Sequence, residues 1–491
     1  MGNYTLLLLV FFPIACGLLV GFLPTFRNQK NRQLFVAAAL IINLLLAVWQ
    51  LTGGDKALLL CNLTDQLAIL FKVDGMSRIF IGLVAVMWIC SGVVSFEYMN
   101  HERNHERYYA FYLLGLGALN GLGLAGNYMT LYLCFEAMTL LTMPLALHSQ
   151  TQEAIAAGIK YVMYSVFGAS LGLLGLFFMC QYGTSLEFIA GGTLDMAKIA
   201  GHEDLLQAVF FLVVVGFGAK AGMFPLHDWL PTAHPVAPAP ASAVLSGVIT
   251  KAGVLAIIRV IYYQVGMEFL KGTWVQYAWL TLALVTVFMG SMMALKENIL
   301  KKRLAYSTVS QVSYVLFGVF LMNQVAMQGA LLHVICHSVI KDVLFLSAGA
   351  VIYKTHKTDV RDLRGIGKEM PIVMWCFTLA SMGLIGIPPL CGFFSKWYLA
   401  VGSLESGIPV IGWLGPVVLL ISAILTAGYL FSITVHGFFP GADYDYSKLT
   451  KKEPSLLMTV PLLVLTAAAV LIGIYPKPVM SLIQTVVAVL F

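Results

Sequence analysis

The sequence predicts an all-α, polytopic membrane protein. Three observations carry this. Of 491 residues, 59% are hydrophobic and only 11% are charged; long apolar stretches recur along the whole chain; and no polar stretch is long enough to form a separate soluble domain. Soluble domains are roughly 45–50% apolar and about 25% charged, so a soluble enzyme is excluded, as is a disordered or collagen-like chain. A β-barrel would show short alternating segments in place of continuous apolar runs.

Read at roughly 20 apolar residues per crossing of about 30 Å of hydrocarbon, the chain holds about fourteen spans. The first, 5–25, lacks a basic n-region and is expected to be a membrane helix, not a cleaved signal peptide. It is followed by 33–51, 75–96, 108–126, 128–148 and 155–181. The seventh, 206–231, is interrupted: GFGAKAGMFPLHDWLP places Lys220 just before Pro225. Then come 240–264, 275–295, 304–322 and 327–352. The twelfth, 371–400, is also interrupted, with Lys396 shortly after Pro388 and Pro389 in GLIGIPPLCGFFSKW. Spans 411–438 and 455–474 complete the set, and the tail 478–491 is too short to cross.

Proline inside a span frees backbone groups, which is tolerated only where neighbours or a cavity satisfy them. A matched pair of breaks points to inverted repeats with ion sites at the breaks. The single membrane domain, 1–491, then divides into N-terminal helices (1–107), a first five-helix block (108–264), a second (274–439), and a last span with its tail (455–491). Lys160 and Lys220 of the first block correspond roughly to Lys341 and Lys396 of the second, whereas Glu136 has no acidic counterpart.

Basic loop residues orient the chain. Alternate connections carry Arg27, Lys30 and Arg32; Arg103 and Arg107; Lys296, Lys301, Lys302 and Arg303; Lys354, Lys357, Arg361, Arg364 and Lys368; and Lys448, Lys451 and Lys452. The other side holds only Lys56, Lys72, Arg78, Lys198, Lys271 and Lys477. The first set is expected in the cytoplasm, leaving both termini outside a cell inner membrane. The net charge of +6 thus reflects topology and argues for no nucleic-acid partner. The eight cysteines are scattered without metal or iron–sulfur spacing, and there is no Walker or dinucleotide motif. No cofactor or metal site is expected; energy must arrive as an ion gradient or through a partner.

Removing loop charges leaves Glu136, Lys160, Lys220, Lys251, Arg259, Lys341, Asp342 and Lys396 inside spans. Each central charge costs about 2.5–3.5 kcal/mol on insertion scales and normally marks an ion or proton route. Arg259 and Lys160 lie near span ends, where snorkelling competes with function, and Asp342 can neutralise a neighbouring lysine. Five lysines and two carboxylates cannot pair one to one. An approaching carboxylate favours the charged form of a buried lysine, and desolvation favours the neutral form, so a mobile Glu–Lys pair forms a pump element. His333, His337 and Lys341 are spaced four apart and share a helical stripe, which suits a proton relay. Ser307, Ser310 and Ser313 offer a hydroxyl face, or simply bond back to their own helix.

FGAKAGMFPLHDWLPTAHPVAPAPASAVLSGVITKAGVLAIIR, KKRLAYSTVSQVSYVLFG and HVICHSVIKDVLFLSAG resemble blocks of the antiporter-like subunits of respiratory complex I, Mrp cation/proton antiporters and membrane-bound energy-converting hydrogenases. The resemblance covers roughly residues 70–440. It implies fourteen helices in two inverted five-helix repeats, broken seventh and twelfth helices and a polar axis along the membrane middle. It implies that Glu136 pairs with Lys220, that Lys251 links two half-channels, that His333, His337 and Lys341 connect them, and that Lys396 serves the exit. WLPTAHPVAPAP is closer to the complex I M-type and Mrp D-type subunits than to the N-type; the twelfth-helix lysine departs from the M-type glutamate, which favours the Mrp D or hydrogenase branch.

The expected function is therefore that of a proton-translocating subunit of a hydrogenase-like or complex-I-like assembly, with no redox centre of its own. Its expected partners are other membrane subunits and peripheral iron–sulfur, hydrogenase or dehydrogenase subunits, with H⁺ as cargo and Na⁺ left open beside it. The alternatives are an Mrp-type Na⁺/H⁺ antiporter subunit without a redox partner, a stand-alone solute carrier, whose six-plus-six repeat fits breaks five spans apart poorly, and a passive structural subunit.

Overall fold

The computed structural model of the chain describes residues 4–442, 444–445 and 450–491; Lys448 lies outside the described residues. In chain order the helices are α1 (Thr5–Phe22), α2 (Gln29–Thr52), α3 (Gly75–Tyr98), α4 (His105–Gly123), α5 (Tyr128–Ala146), α6 (Gln152–Tyr182), α7 (Glu203–Ala221), α8 (Trp229–Val236), α9 (Ala239–Val265), α10 (Trp274–Lys296), α11 (Leu300–Phe320), α12 (Gln324–Thr355), α13 (Pro371–Ile385), α14 (Cys391–Leu404), α15 (Ile411–Phe438), α16 (Leu456–Ile474) and α17 (Lys477–Leu490). Among the described residues, eleven helices are long and apolar enough to cross a membrane, and the chain is a multi-pass membrane protein. Polar side chains begin many of them by taking up free first-turn N–H groups: Asn28 at α2, Asp74 at α3, Asn127 at α5, Thr151 at α6, Asn323 at α12 and Ser455 at α16.

The seventh and twelfth predicted spans are interrupted. Helix α7 ends at Gly222, whose φ of +82° suits glycine, and the chain passes Pro225 before α8 begins. Helix α13 ends at Gly386, φ +95°, and passes Pro388 and Pro389 before α14. The tail α17 has 14 residues, short for a crossing.

Two features depart from the sequence reading. Residues between the second and third spans form an antiparallel hairpin, β1 (Lys56–Asn62) and β2 (Ala68–Val73), with a bulge between Leu59 and Cys61. The hairpin is tied to the α4–α5 turn, where Lys72 N–H donates to Leu124 O (2.7 Å) and Gly126 N–H to Leu70 O (2.9 Å). A search for runs of 20 apolar residues does not register strands this short. The other departure is that Arg32, Lys301 and Arg303, expected as loop cations, are buried. Arg32 donates to Phe26 O and pairs with Glu106. Lys301 Nζ donates to Ala237 O (2.7 Å) at the end of α8, and Arg303 donates to the carbonyls of Glu297 and Tyr429.

Helices α9 and α12 form the centre. The apolar stretch of α9 is fully buried and that of α12 is 89% buried, against 33% for α2 and α15 at the periphery. Helix α12 packs on α3, α9, α11, α13, α14, α16 and α17. Small residues let backbones meet closely. A Cβ at Gly168 of α6 would lie 2.3 Å from Gly216 O of α7, and one at Gly253 of α9 would lie 2.6 Å from Phe217 O. These contacts press α7 between α6 and α9 and so fix Lys220 beside the centre. Substituting Gly253→Val forces backbone apart, at a cost of about 1–3 kcal/mol or more. It is expected to lower the thermal unfolding midpoint of the purified protein, while Gly54→Val, where a Cβ meets nothing within 4 Å, leaves it unchanged.

Candidate functional site

The buried ionisable groups lie on helices that touch one another in sequence across the protein. At one end stands Lys220, at the last turn of α7 and 1% exposed. Its ammonium donates to Tyr161 Oη (2.6 Å), Thr139 Oγ1 (3.0 Å) and Ser165 Oγ (3.2 Å), and it sits 4.2 Å from the Tyr161 ring centroid, a favourable cation–π distance. Thr142 Oγ1 extends this hydroxyl set to Tyr161 at 2.8 Å. The α7 break exposes the Ala219 carbonyl, which accepts from Trp229 Nε1 (2.7 Å).

Glu136 is on α5, three residues before Thr139, and is half-buried. Tyr132 Oη donates to its Oε1 at 3.5 Å. Glu136 and Lys220 form no ion pair within 4 Å: hydroxyls, not the carboxylate, hold the ammonium. The two residues are adjacent but separated, the arrangement a pair needs if it is to form and break.

The next step is across α7 and α9, where Lys220 Cβ lies 3.2 Å from where a Cβ of Gly253 would stand. Two residues earlier on α9 is Lys251, 1% exposed. Its ammonium donates to Ser246 O. That carbonyl belongs to a π-helical turn, Leu245–Ile249, whose wider winding loosens the usual i to i−4 ladder. Nothing in the sequence marks this turn, because its composition is that of any apolar helix.

Helix α12 meets α9 at Gly247, where Asp342 Oδ1 lies 2.0 Å from the place a Cβ would take; no larger residue fits. Asp342 is fully buried, accepts from Ser91 Oγ of α3 (3.3 Å) through Oδ2, and has no hydrogen-bond partner at Oδ1. Lys341, one residue back and fully buried, turns to α11, donating to Ser307 Oγ (2.7 Å) and Leu304 O (2.9 Å). Of the three serines expected as a hydroxyl face, Ser307 takes that place. Ser310 bonds within a Ser291–Ser310–Ser422 cluster, and Ser313 donates back to Val309 O.

Along α12, His337 and His333 stack with centroids 5.9 Å apart. Neither ring nitrogen of His337 has a protein partner, whereas His333 Nδ1 bonds Ser395 Oγ (2.8 Å) on α14. Lys396 follows Ser395 directly. It is partly buried, donates to Leu384 O (2.6 Å) and Ile385 O (3.0 Å) at the broken end of α13, and lies 5.0 Å from the Tyr314 ring centroid.

Sequence reasoning passed over His234 on α8, fully buried, stacked on Phe345 at 4.7 Å and without a partner at either nitrogen. It also passed over Gln311 on α11, buried with both side-chain polar atoms unpartnered. A histidine flanked by apolar residues carries no signal by itself. Two other charged groups within or near the spans are ion-paired. Lys160, at 31% exposure, is ion-paired to Asp228. Arg259 holds Asp74 in a bidentate pair, at 2.6 and 2.8 Å. Burial raises the Asp74 carboxyl, but the charge and hydrogen bonds of Arg259 outweigh it and hold it at about 2. Arg259 is thus a structural tie between α9 and the head of α3.

Residues 125–426 match the family described as NADH:quinone oxidoreductase/Mrp antiporter, TM. The chain is 32% identical over 422 residues to the N subunit of the NADH-quinone oxidoreductase of Desulforudis audaxviator (strain MP104C), covering 83% of this chain and 82% of that protein. It is 29% identical over 485 residues to the D component of the Na(+)/H(+) antiporter of Alkalihalophilus pseudofirmus, covering 96% and 94%. It superposes with a TM-score of 0.85, at 22% identity and over 99% of its length and 97% of the other chain, on a chain of the membrane-bound sulfane sulfur reductase, an archaeal respiratory membrane complex. At that identity the likeness shows the fold.

The tie between α9 and α3 is separable from the line of buried lysines. Asp74→Asn leaves Arg259 buried without a counter-ion, a change that costs about 3–5 kcal/mol, and is expected to lower the unfolding midpoint markedly. Asp55→Asn, which removes an exposed partner of Arg78, is expected to change it little. The stability due to Asp74 is present above the unfolded carboxyl range of about 4 and lost as pH falls toward 2. An acid titration of the midpoint checks the sign.

Proposed function

The chain belongs to the NADH:quinone oxidoreductase/Mrp antiporter transmembrane family, and from that premise we propose that it is a proton-translocating, antiporter-like subunit of a multi-subunit energy-converting membrane complex. The observation that carries the reading is that Lys220, Lys251, Lys341 and Lys396 are held by hydroxyls and carbonyls, with no carboxylate within 4 Å among the described residues. Neutral oxygens offset part of the desolvation of an ammonium group without locking it as an ion pair does. Each lysine is therefore open to exchange its proton as the charge on its neighbours changes.

In this reading a cytoplasmic half-channel loads Lys220, and the approach of Glu136 fixes the proton there. Its withdrawal releases the proton toward Lys251. Lys341 and the unpartnered nitrogens of His337 and His234 pass it on, water bridging the groups. His333 and Ser395 deliver it to Lys396, the exit. Lys160, paired with Asp228 nearer the surface, is a secondary relay at the entrance. The matched breaks, each closed by a positive-φ glycine, support two inverted five-helix repeats, 108–264 and 274–439, between the N-terminal helices (1–107) and the last span (455–491). The basic connections support an orientation with both termini outside the cytoplasmic membrane.

The partners are other membrane subunits, with peripheral redox subunits in a hydrogenase-like or complex-I-like assembly. The Na(+)/H(+) antiporter relative, matched over 96% of this chain, supports a second reading as an Mrp-type Na⁺/H⁺ antiporter component without a redox partner. Mass spectrometry of the intact complex separates them: iron–sulfur or hydrogenase subunits support the first, and small membrane subunits alone support the second. In vesicles containing the complex, Glu136→Gln or Lys220→Ala is expected to reduce gradient-coupled proton transport at least tenfold, a loss below the roughly 10²–10⁴-fold contribution of a positioned acid or base. Transport that persists in both overturns the pairing.

A further inference from the structure

A groove of about 680 Å³ opens between the end of α1 and the start of α4, away from the line of buried lysines. Its depth is set by glycine. At Gly17 the two helices touch, a Cβ there falling 2.8 Å from Ala110 O; at Gly21 the nearest atom is Ala110 Cβ at 3.4 Å, so the helices begin to part. The wedge is walled by apolar side chains including Phe111 and Leu114. Leu18 and Phe22, 47% and 80% exposed, flank it on the α1 side.

The mouth of the groove is cationic. Arg27 is exposed at the end of the Pro24–Arg27 turn and has no ion pair among the described residues. Arg107 donates through Nη2 to His148 O, while its buried Nε has no partner. The one carboxylate in the lining, Glu106, is already taken by Arg32 at 3.3 Å. The net field at the mouth is therefore that of two arginines above an apolar slot, on the side where basic loop residues concentrate.

We propose that this groove binds an anionic glycerophospholipid from the surrounding membrane, its phosphate between Arg27 and Arg107 and one acyl chain in the wedge beside Gly21, Phe111 and Leu114. A headgroup without a chain leaves the apolar wall uncovered, and a zwitterionic lipid brings a cation to two arginines. Basic pockets between helices at a membrane surface suit anionic headgroups, and the volume lies within the roughly 300–1,000 Å³ of small-molecule sites.

The test is native mass spectrometry of the intact, detergent-purified complex titrated with phosphatidylglycerol or phosphatidylcholine of identical chains. The unmodified protein is expected to retain phosphatidylglycerol preferentially, and Arg27→Gln with Arg107→Gln to reduce that preference about tenfold, roughly a few-fold for each cation. Arg27→Gln alone removes no side-chain hydrogen bond or ion pair among the described residues, so it tests the charge without threatening the fold; a several-fold loss is expected. Equal retention of the two lipids, or a preference unchanged in Arg27→Gln, overturns the proposal. Inorganic phosphate displacing the lipid at equal concentration also overturns it, in favour of a free-anion site. So does a co-purifying membrane subunit that cross-links to the groove in place of lipid.

Discussion

An ammonium group taken out of water must be given other oxygens, or it does not stay charged. The fold is arranged around that constraint. In three places the oxygens come from backbone that has left regular helix geometry or stands at a helix end. Lys251 bonds a carbonyl of a π turn, and Lys396 two carbonyls where α13 breaks. Lys301 bonds the carbonyl that ends α8, whereas Lys341 bonds Ser307 Oγ and the Leu304 carbonyl inside α11. Lys220 is solvated by three hydroxyls, and the Ala219 carbonyl beside the break accepts from Gly222 N–H and Trp229 Nε1. At Lys251, Lys301 and Lys396, helix irregularity and helix ends serve as a substitute for water.

The contrast with Arg259 shows what is gained. Arg259 and Asp74 make a fork-to-fork pair that anchors two helices, and such a pair holds its protons firmly. Lysines bound to neutral oxygens are held in place but not in one charge state. Asp342 occupies an intermediate position: its Oδ1 has no partner, and it is pressed against Gly247 on the helix that carries Lys251. Any movement of α9 against α12 would alter the field of Asp342 on Lys251.

Much of this is legible in the sequence. Long apolar runs reveal the helices, because crossing hydrocarbon imposes a length on every one of them. Proline with glycine marks the two breaks, because the ring of Pro225 and those of Pro388 and Pro389 disrupt the helical ladder. The rare charges inside spans single out the candidate residues, because burying a charge is costly. What is not legible depends on partners distant in sequence. The π turn at Leu245–Ile249 has the composition of an ordinary helix. The burial of Lys301 and Arg303 depends on carbonyls of Ala237 and Tyr429. The separation of Glu136 from Lys220 depends on hydroxyls from α5 and α6, and the β1–β2 hairpin on its docking to the α4–α5 turn.

In the proposed path Lys251 transfers a proton and does not merely supply a buried charge. Arginine keeps the charge and donors but does not deprotonate in a protein, so Lys251→Arg separates the two roles. The measurement is gradient-driven proton flux into vesicles carrying the assembled complex, with the amount of assembled variant matched to the unmodified protein. Lys251→Arg is expected to lose flux as completely as Lys251→Ala. Flux near the unmodified level in Lys251→Arg would contradict proton transfer by Lys251.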